Sequence, residues 1–473
     1  MTDTTDLQKA LAHLQEHEES YIATLEDLVR IPGISAWESH QAELPKSAEA
    51  IRAELEAAGL EHTELLELEG APPYAYGEWL GAPGKPTVLL YAHHDVQPPG
   101  RDELWKSPPF EPERREGPNG LRLYGRGSAD DKAGAMCHVA AIASWLKGAG
   151  TLPLNVKVII EGEEEVGSTH LEQALLRWKD KLQADVIVLT DTTNFDTGVP
   201  SLTYSLRGLL TADVTVKTTG HAVHSGMWGG PCIDALTSIC KLLGTLHDDD
   251  GAVAVEGFAA GAREPEDWEV QRLKELGYDE ATLRKESGLL PGTKLTGEPD
   301  RSILERLWQR PTITVIGLDA CPIATSANKL IPEARARLSC RLAAGQDPKA
   351  VGEALKAHLL AKAPYGAEVE VELLDAVPGW VCVPEGPAFD AAERALEAGF
   401  GHKTAFIGSG GSIPFVGPFA VAFGGAPAIL LGLEDPYTNA HGENESLHLD
   451  DFKKLMNSTV RILDELSRLE TVK

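Results

Sequence analysis

The 473-residue sequence predicts a two-domain α/β protein, a mostly parallel sheet flanked by helices and interrupted by an inserted ferredoxin-like α+β domain. Three observations predict it. Continuous apolar runs alternate with amphipathic helical patterns in the first half, as expected of strands covered on both faces of a parallel sheet. Between Gly208 and about Asp375 the order changes to strand, helix, two strands, helix, strand, a split β-α-β arrangement. The length also exceeds what one hydrophobic core ordinarily organises.

Taken in order, the first domain opens with a helix ending near Val29–Pro32, followed by an amphipathic helix over 47–59 and a strand over 87–91. A helix over 132–147 follows, then strands over 155–160, 185–189, 403–407 and 428–433. The insert carries strands over 210–218, 312–318, 334–342 and 368–374, with helices over 233–246 and 348–360. The boundaries expected are 1–207 with 380–473 for the discontinuous first domain and 208–379 for the insert. Residues 248–310 are charged, rich in Gly and Pro, and form a decoration with a short helix over 268–276.

The balance of 43 basic against 72 acidic residues, a formal charge of −29, excludes a nucleic-acid or anionic-membrane partner, because the field repels phosphate. Small molecules remain as the natural ligands. The six cysteines are scattered without a C-x-x-C pair and read as reduced thiols. The N-terminus lacks a leader pattern and no apolar run is long enough to span a bilayer, so a soluble, cytoplasmic protein is expected.

In open α/β sheets ligands bind beyond the carboxyl ends of the strands. Here the run 87–91 leads into Ala92-His93-His94-Asp95, the run 155–160 into Glu161-Gly162-Glu163-Glu164-Glu165, and the run 185–189 into Thr190-Asp191. The run 428–433 reaches His441 through a short loop, and Asp130-Asp131 opens the helix over 132–147, where anions suit the dipole. Alone, an H-x-D is ordinarily a solvated turn and an acidic run a charged loop. Together, two imidazoles and several carboxylates at one sheet edge match the mixed N/O donors of a hydrolytic metal site.

The strings YAHHDVQPPG, LYGRGSADDKAG, EGEEEVGS, HAVHSGMWGG, GGSIP and NAHGENE, in this order, resemble the motifs of the carnosine-dipeptidase-like branch of the aminoacylase/carboxypeptidase superfamily of two-zinc metallopeptidases. The likeness runs from VRIPGIS to the C-terminal helix. It implies that 1–207 with 380–473 is a zinc-peptidase-like catalytic domain and 208–379 a lid and dimerisation domain. It further implies that Asp130, two residues before Lys132, bridges two divalent metal ions, zinc with cobalt or manganese as alternatives. His93 and Asp191 would complete one site, Glu165 and His441 the other, with Asp95 accepting the remaining N–H of His93. Glu164, adjacent to Glu165, is the expected general base in a catalytic role, with Glu163 the alternative.

In the second domain the resemblance implies that His224 reaches the active site of a partner subunit in a homodimer and stabilises the oxyanion, and that Arg341 pairs with the substrate carboxylate. Ser409, Gly410, Gly411 and Ser412 would present the substrate-binding loop, with backbone N–H groups offered by the glycines. Gly408 and Ser409 stand where dipeptidase relatives carry Arg-Glu, which gives weight to an N-acyl substrate, and Lys329 replaces an Asn or Thr. The expected activity is that of a dipeptidase or related exopeptidase. The alternatives are an N-acyl-amino-acid deacylase on the same metals and a non-catalytic binding protein.

Overall fold

The computed structural model describes residues 4–411 and 422–470, with Val416 and Phe419 between them. The chain divides into two compact units, Met1–Tyr204 with Val383–Ile407 and Ile413–Lys473, and Ser205–Cys382 with Gly408–Ser412.

The first unit is organised on a six-stranded sheet in the order Glu61–Leu66, Tyr74–Trp79, Asn155–Glu161, Thr87–His93, Val186–Thr193, Ala428–Glu434. The last four strands run parallel, and the first two add an antiparallel edge. That edge had no signature in the sequence. Glu61–Leu66 reads EHTELL and is largely exposed, so its strand character comes from backbone pairing to Tyr74–Trp79. The strand predicted over 403–407 is a correction. It forms as Ala405–Ser409 in a separate short sheet beside Ser201–Leu206, with Ala405 N donating to Pro200 O at 2.8 Å. Its short apolar core, Ala-Phe-Ile, makes a strand but does not specify a partner.

Helix Lys132–Ala143 is buried at every position, and its run of Ala and Gly lets the backbone lie close to the sheet. A Cβ on Gly134 would collide with Asp131 Oδ1 and Thr190 Oγ1, so glycine is what allows this helix start to sit against strand Val186–Thr193. Lys132, also buried, donates from Nζ to Leu28 O at 2.8 Å and Ile31 O at 2.7 Å, tying the same turn to the end of helix Thr4–Val29. Burial pushes that ammonium down to about 7.

The second unit has a four-stranded antiparallel sheet in the order Thr312–Asp319, Glu333–Leu342, Gly208–Lys217, Glu368–Val377. Alternation decides its two faces. Leu210, Ala212, Val214, Leu338 and Cys340 pack with Ile239 and Leu242 of helix Ala235–Leu243 and Leu355 and Leu359 of helix Pro348–Ala361. On the opposite face Asp213 pairs with Arg335 and, at 2.7 Å, with Arg337. The segment between helix Ala235–Leu243 and strand Thr312–Asp319 contains helices Asp267–Glu275, Glu280–Ser287 and Ile303–Trp308. The edge strand Thr312–Asp319 leaves Val315, Ile316 and Leu318 exposed.

Candidate metal centre

His93 is the last residue of strand Thr87–His93, and its ring is wholly buried. Its Nε2 lies 3.0 Å from Asp130 Oδ1 and 3.6 Å from Asp191 Oδ1. The other nitrogen, Nδ1, is 3.1 Å from the backbone O of Asp95 and 3.4 Å from Asp95 Oδ1. A proton on Nδ1 is therefore held by Asp95, so Nε2 is the nitrogen turned toward the carboxylates, donating to Asp130 in the metal-free site and offering its lone pair only once that proton is displaced.

Asp130 precedes helix Lys132–Ala143 and turns its second oxygen toward the C-terminal loop, where Oδ2 lies 3.1 Å from His441 Nε2. His441 is also 3.2 Å from Glu165 Oε2. Glu165 is fixed by Gln97, whose backbone N donates to Oε1 at 3.0 Å and whose Nε2 donates to Oε2 at 2.9 Å. Two groups of donor atoms result, His93–Asp130–Asp191 and Asp130–Glu165–His441, each lying within 4.8 Å, and Asp130 belongs to both.

The turn after strand Asn155–Glu161 carries the acids at issue, and Asp95 positions it. Glu164 N donates to Asp95 Oδ1 at 3.2 Å and Glu165 N to Oδ2 at 3.1 Å, so one carboxylate orients both the His93 ring and the Glu164–Glu165 backbone. Glu163 is engaged elsewhere. It accepts from Tyr74 Oη at 3.3 Å and from His170 N at 2.8 Å, and its Oε2 faces His170 Nδ1 at 2.9 Å. That leaves Glu164 as the carboxylate of the turn with no such anchors among the described residues.

Burial, then the charge of Asp191, pushes the Glu164 carboxyl well above the usual range. Burial, then Asp130, pushes Glu165 up to about 7. Asp131, Asp191 and Glu434 are raised as well, burial being the largest cause for each. Asp130 is the exception. Burial would raise it, but hydrogen bonds from His441 and His93 hold it below the usual range. The same contacts override burial at His441 and take it up to about 11. Crowded acids raised by burial, around one aspartate that offers an oxygen to each imidazole, form a donor set that fits two divalent cations.

Glu434 was not among the sequence candidates, although it ends strand Ala428–Glu434 and the rule that found Asp191 would have marked it. Gln97 has no signal in the sequence.

The remaining candidates belong to the second unit. His224 is exposed, pairs in register with Lys329, and its Nδ1 accepts from Gly226 N at 3.1 Å. Ser225 N donates to Asn328 O at 2.9 Å, so His224, Asn328 and Lys329 share one small ladder. Arg341 is half-buried in strand Glu333–Leu342, opposite Thr312 and Leu209, and burial lowers its pKa. Ser409 Oγ accepts from Gly411 N at 3.1 Å, and Arg207 Nε approaches Gly410 O at 3.4 Å. Gly408 faces Trp308 and Ser205, where a Cβ would clash, which explains why no large residue stands there. Ser412 lies outside the described residues.

The sequence profile described as peptidase family M20/M25/M40 matches residues 89–465. A cysteinylglycine-S-conjugate dipeptidase of Corynebacterium striatum is 32% identical over 439 residues, 92% of this chain and 93% of that protein. A Cys-Gly metallodipeptidase of Candida albicans is 27% identical, over 94% of each chain. The crystal structure of human carnosine dipeptidase 1 is similar with a TM-score of 0.86 and 25% identity, covering 98% of this chain and 99% of that one.

Proposed function

We propose, from the premise that the chain belongs to peptidase family M20/M25/M40 and is a metallodipeptidase, that it cleaves the peptide bond of free dipeptides at a two-ion centre bridged by Asp130. The observation that carries the reading is the position of Asp130, with one oxygen 3.0 Å from His93 and the other 3.1 Å from His441. His93 and Asp191 would hold one ion, Glu165 and His441 the other. Bound there, two divalent cations supply Lewis acidity to the scissile carbonyl and to the attacking water. Glu164 would take the proton from that water and deliver it to the leaving amine, and burial with the charge of Asp191, which raise its carboxyl, favour its holding the proton between the two transfers. Asp95 does not touch substrate in this scheme; it positions His93 and Glu164.

Zinc is the ion proposed, because the donors are imidazole and carboxylate, and cobalt or manganese would be accepted by the same set. Residues 208–379 would act as lid and dimerisation domain, with 1–207 and 380–473 as the catalytic domain. The exposed apolar edge Val315, Ile316 and Leu318 supports a homodimer, within which His224 would stabilise the oxyanion of the partner's substrate. Arg341 and the loop Ser409, Gly410, Gly411 and Ser412 would receive the substrate carboxylate. A cytoplasmic location is supported by six free cysteines, and no helix among the described residues is long and apolar enough to cross a membrane.

The N-acyl-amino-acid deacylase reading suggested by Ser409 is not favoured, since the curated relatives are dipeptidases, and a non-catalytic role is not favoured for the same reason. The test is a panel of Cys-Gly, S-substituted Cys-Gly, β-Ala-His and N-acetyl amino acids, presented to metal-stripped protein before and after addition of zinc, cobalt or manganese. Metal-dependent turnover of free dipeptides is expected. Faster turnover of N-acetyl amino acids than of every dipeptide would sink the reading.

A further inference from the structure

Two fully buried side chains outside the donor groups bind the loops that carry the donors, and no role has yet been given to them. Glu445 Oε1 accepts from Ala129 N at 3.0 Å and Asp130 N at 3.2 Å. Its Oε2 accepts from Gly127 N at 2.9 Å and Arg126 Nη1 at 2.7 Å. Its backbone O accepts from Gly125 N at 3.1 Å. Arg126 completes the clamp with Nη2, which donates to Gly442 O at 2.9 Å and Pro98 O at 3.2 Å. The pair thus joins the segment 125–130, which ends in Asp130, the loop 439–445, which carries His441, and the stretch that follows His93.

The chemistry of the clamp is specific. A carboxylate accepts on both oxygens, and here it meets three backbone N–H groups of one loop and a guanidinium, all donors. Asp130 has its backbone N fixed in this way while its side-chain oxygens face two different imidazoles, so the main chain from which the bridging carboxylate projects is held from the Glu445 side. His441 stands in a left-handed conformation at φ 61°, an uncommon one for a residue other than glycine. The neighbouring Gly442 carbonyl is the point where Arg126 grips that loop.

We propose that Glu445 and Arg126 are positioning residues for the metal pair. They set the spacing between the two groups by locking the Asp130 loop to the His441 loop, so that one carboxylate can serve both ions. This rests on the reading of Asp130 as the metal bridge.

The test is competition between the metal-stripped full-length protein and a chromophoric chelator for zinc, together with the visible absorption of the cobalt-loaded protein. In Glu445→Gln an amide N–H₂ must face a row of donors whichever way it turns, so the loop cannot keep its present form. Loss of such an orienting partner is expected to weaken zinc binding by about 10- to 100-fold and to alter the cobalt spectrum. Arg126→Lys keeps the charge but cannot reach Glu445, Gly442 and Pro98 at once, so it should weaken the ion shared with His441 more than the ion shared with His93. It also serves if Glu445→Gln does not fold. Two zinc ions bound by Arg126→Lys at wild-type affinity, with a wild-type cobalt spectrum, would overturn the proposal whatever happens to turnover. A wild-type protein that takes up no ion pair would instead overturn the metal-bridge reading on which it rests.

Discussion

His93 and His441 stand on either side of Asp130 at nearly equal distances, 3.0 and 3.1 Å, yet they are held by different means. The His93 ring is 0% exposed and sits at the end of a central parallel strand, whereas the His441 ring is 60% exposed on a loop. One position is inherited from the sheet, whose register is specified by apolar residues on both faces. The other has to be imposed on an irregular segment by buried polar contacts. The lesson is that a donor set for two ions can be assembled from a rigid half and a tethered half, and that each half should fail differently.

The largest effect should be insensitive to that difference. Glu164→Gln removes the proposed proton acceptor between the two halves and is expected to lower kcat by about 10²- to 10⁴-fold while both ions remain bound, checked by steady-state kinetics with metal analysis on the same sample. An unchanged rate at full occupancy would remove Glu164 from the mechanism.

The two histidines should then part company. His93→Ala strips a buried partner from Asp130 and Asp191 and is expected to destabilise the metal-free protein by about 3–5 kcal/mol. His441→Ala, at the exposed end, should cost less than about 1 kcal/mol while still abolishing one metal site. Urea unfolding of the two metal-free variants measures this, and equal losses would break the comparison.

The smallest effect is on pH dependence and belongs to the acids between the halves. Glu165 is raised to about 7, and Glu164, Asp131 and Asp191 are raised as well, so the folded metal-free protein binds protons more tightly than the unfolded chain. Stability from these groups is present below the ordinary carboxylate pKa and is lost as pH rises through the folded values. The raised His441 acts in the same direction, with a share kept small by the 60% exposure of its ring. The metal-free Tm should therefore fall between about pH 5 and 8, and saturating zinc, which displaces those protons, should remove the fall. A metal-free Tm that rises over that interval would mean that the acids are not crowded as described.

Much of this centre was legible before any coordinates. Periodicity and the rule that ligands gather at strand ends marked the groups that contain His93, Asp130, Glu165 and Asp191, and the resemblance to the two-zinc metallopeptidases chose His93 over His94, Asp130 over Asp131 and Glu165 within its acidic run. The edge strand Glu61–Leu66 was not legible, because an exposed polar strand has no pattern apart from its pairing. Nor was the partner of Ala405–Ser409, since strand propensity names no neighbour.

By itself, then, the sequence determined the alternation of buried strands and helices and the kinds of donor placed at the strand ends, because both follow from local periodicity and residue chemistry. Only the tertiary structure decided that Asp130 turns one oxygen to each histidine, that Glu163 is occupied by Tyr74 and His170 while Glu164 is not, and that Glu445 and Arg126 join the loops. Those choices are made by hydrogen bonds between residues as much as 319 positions apart, and no local pattern encodes a contact at that range.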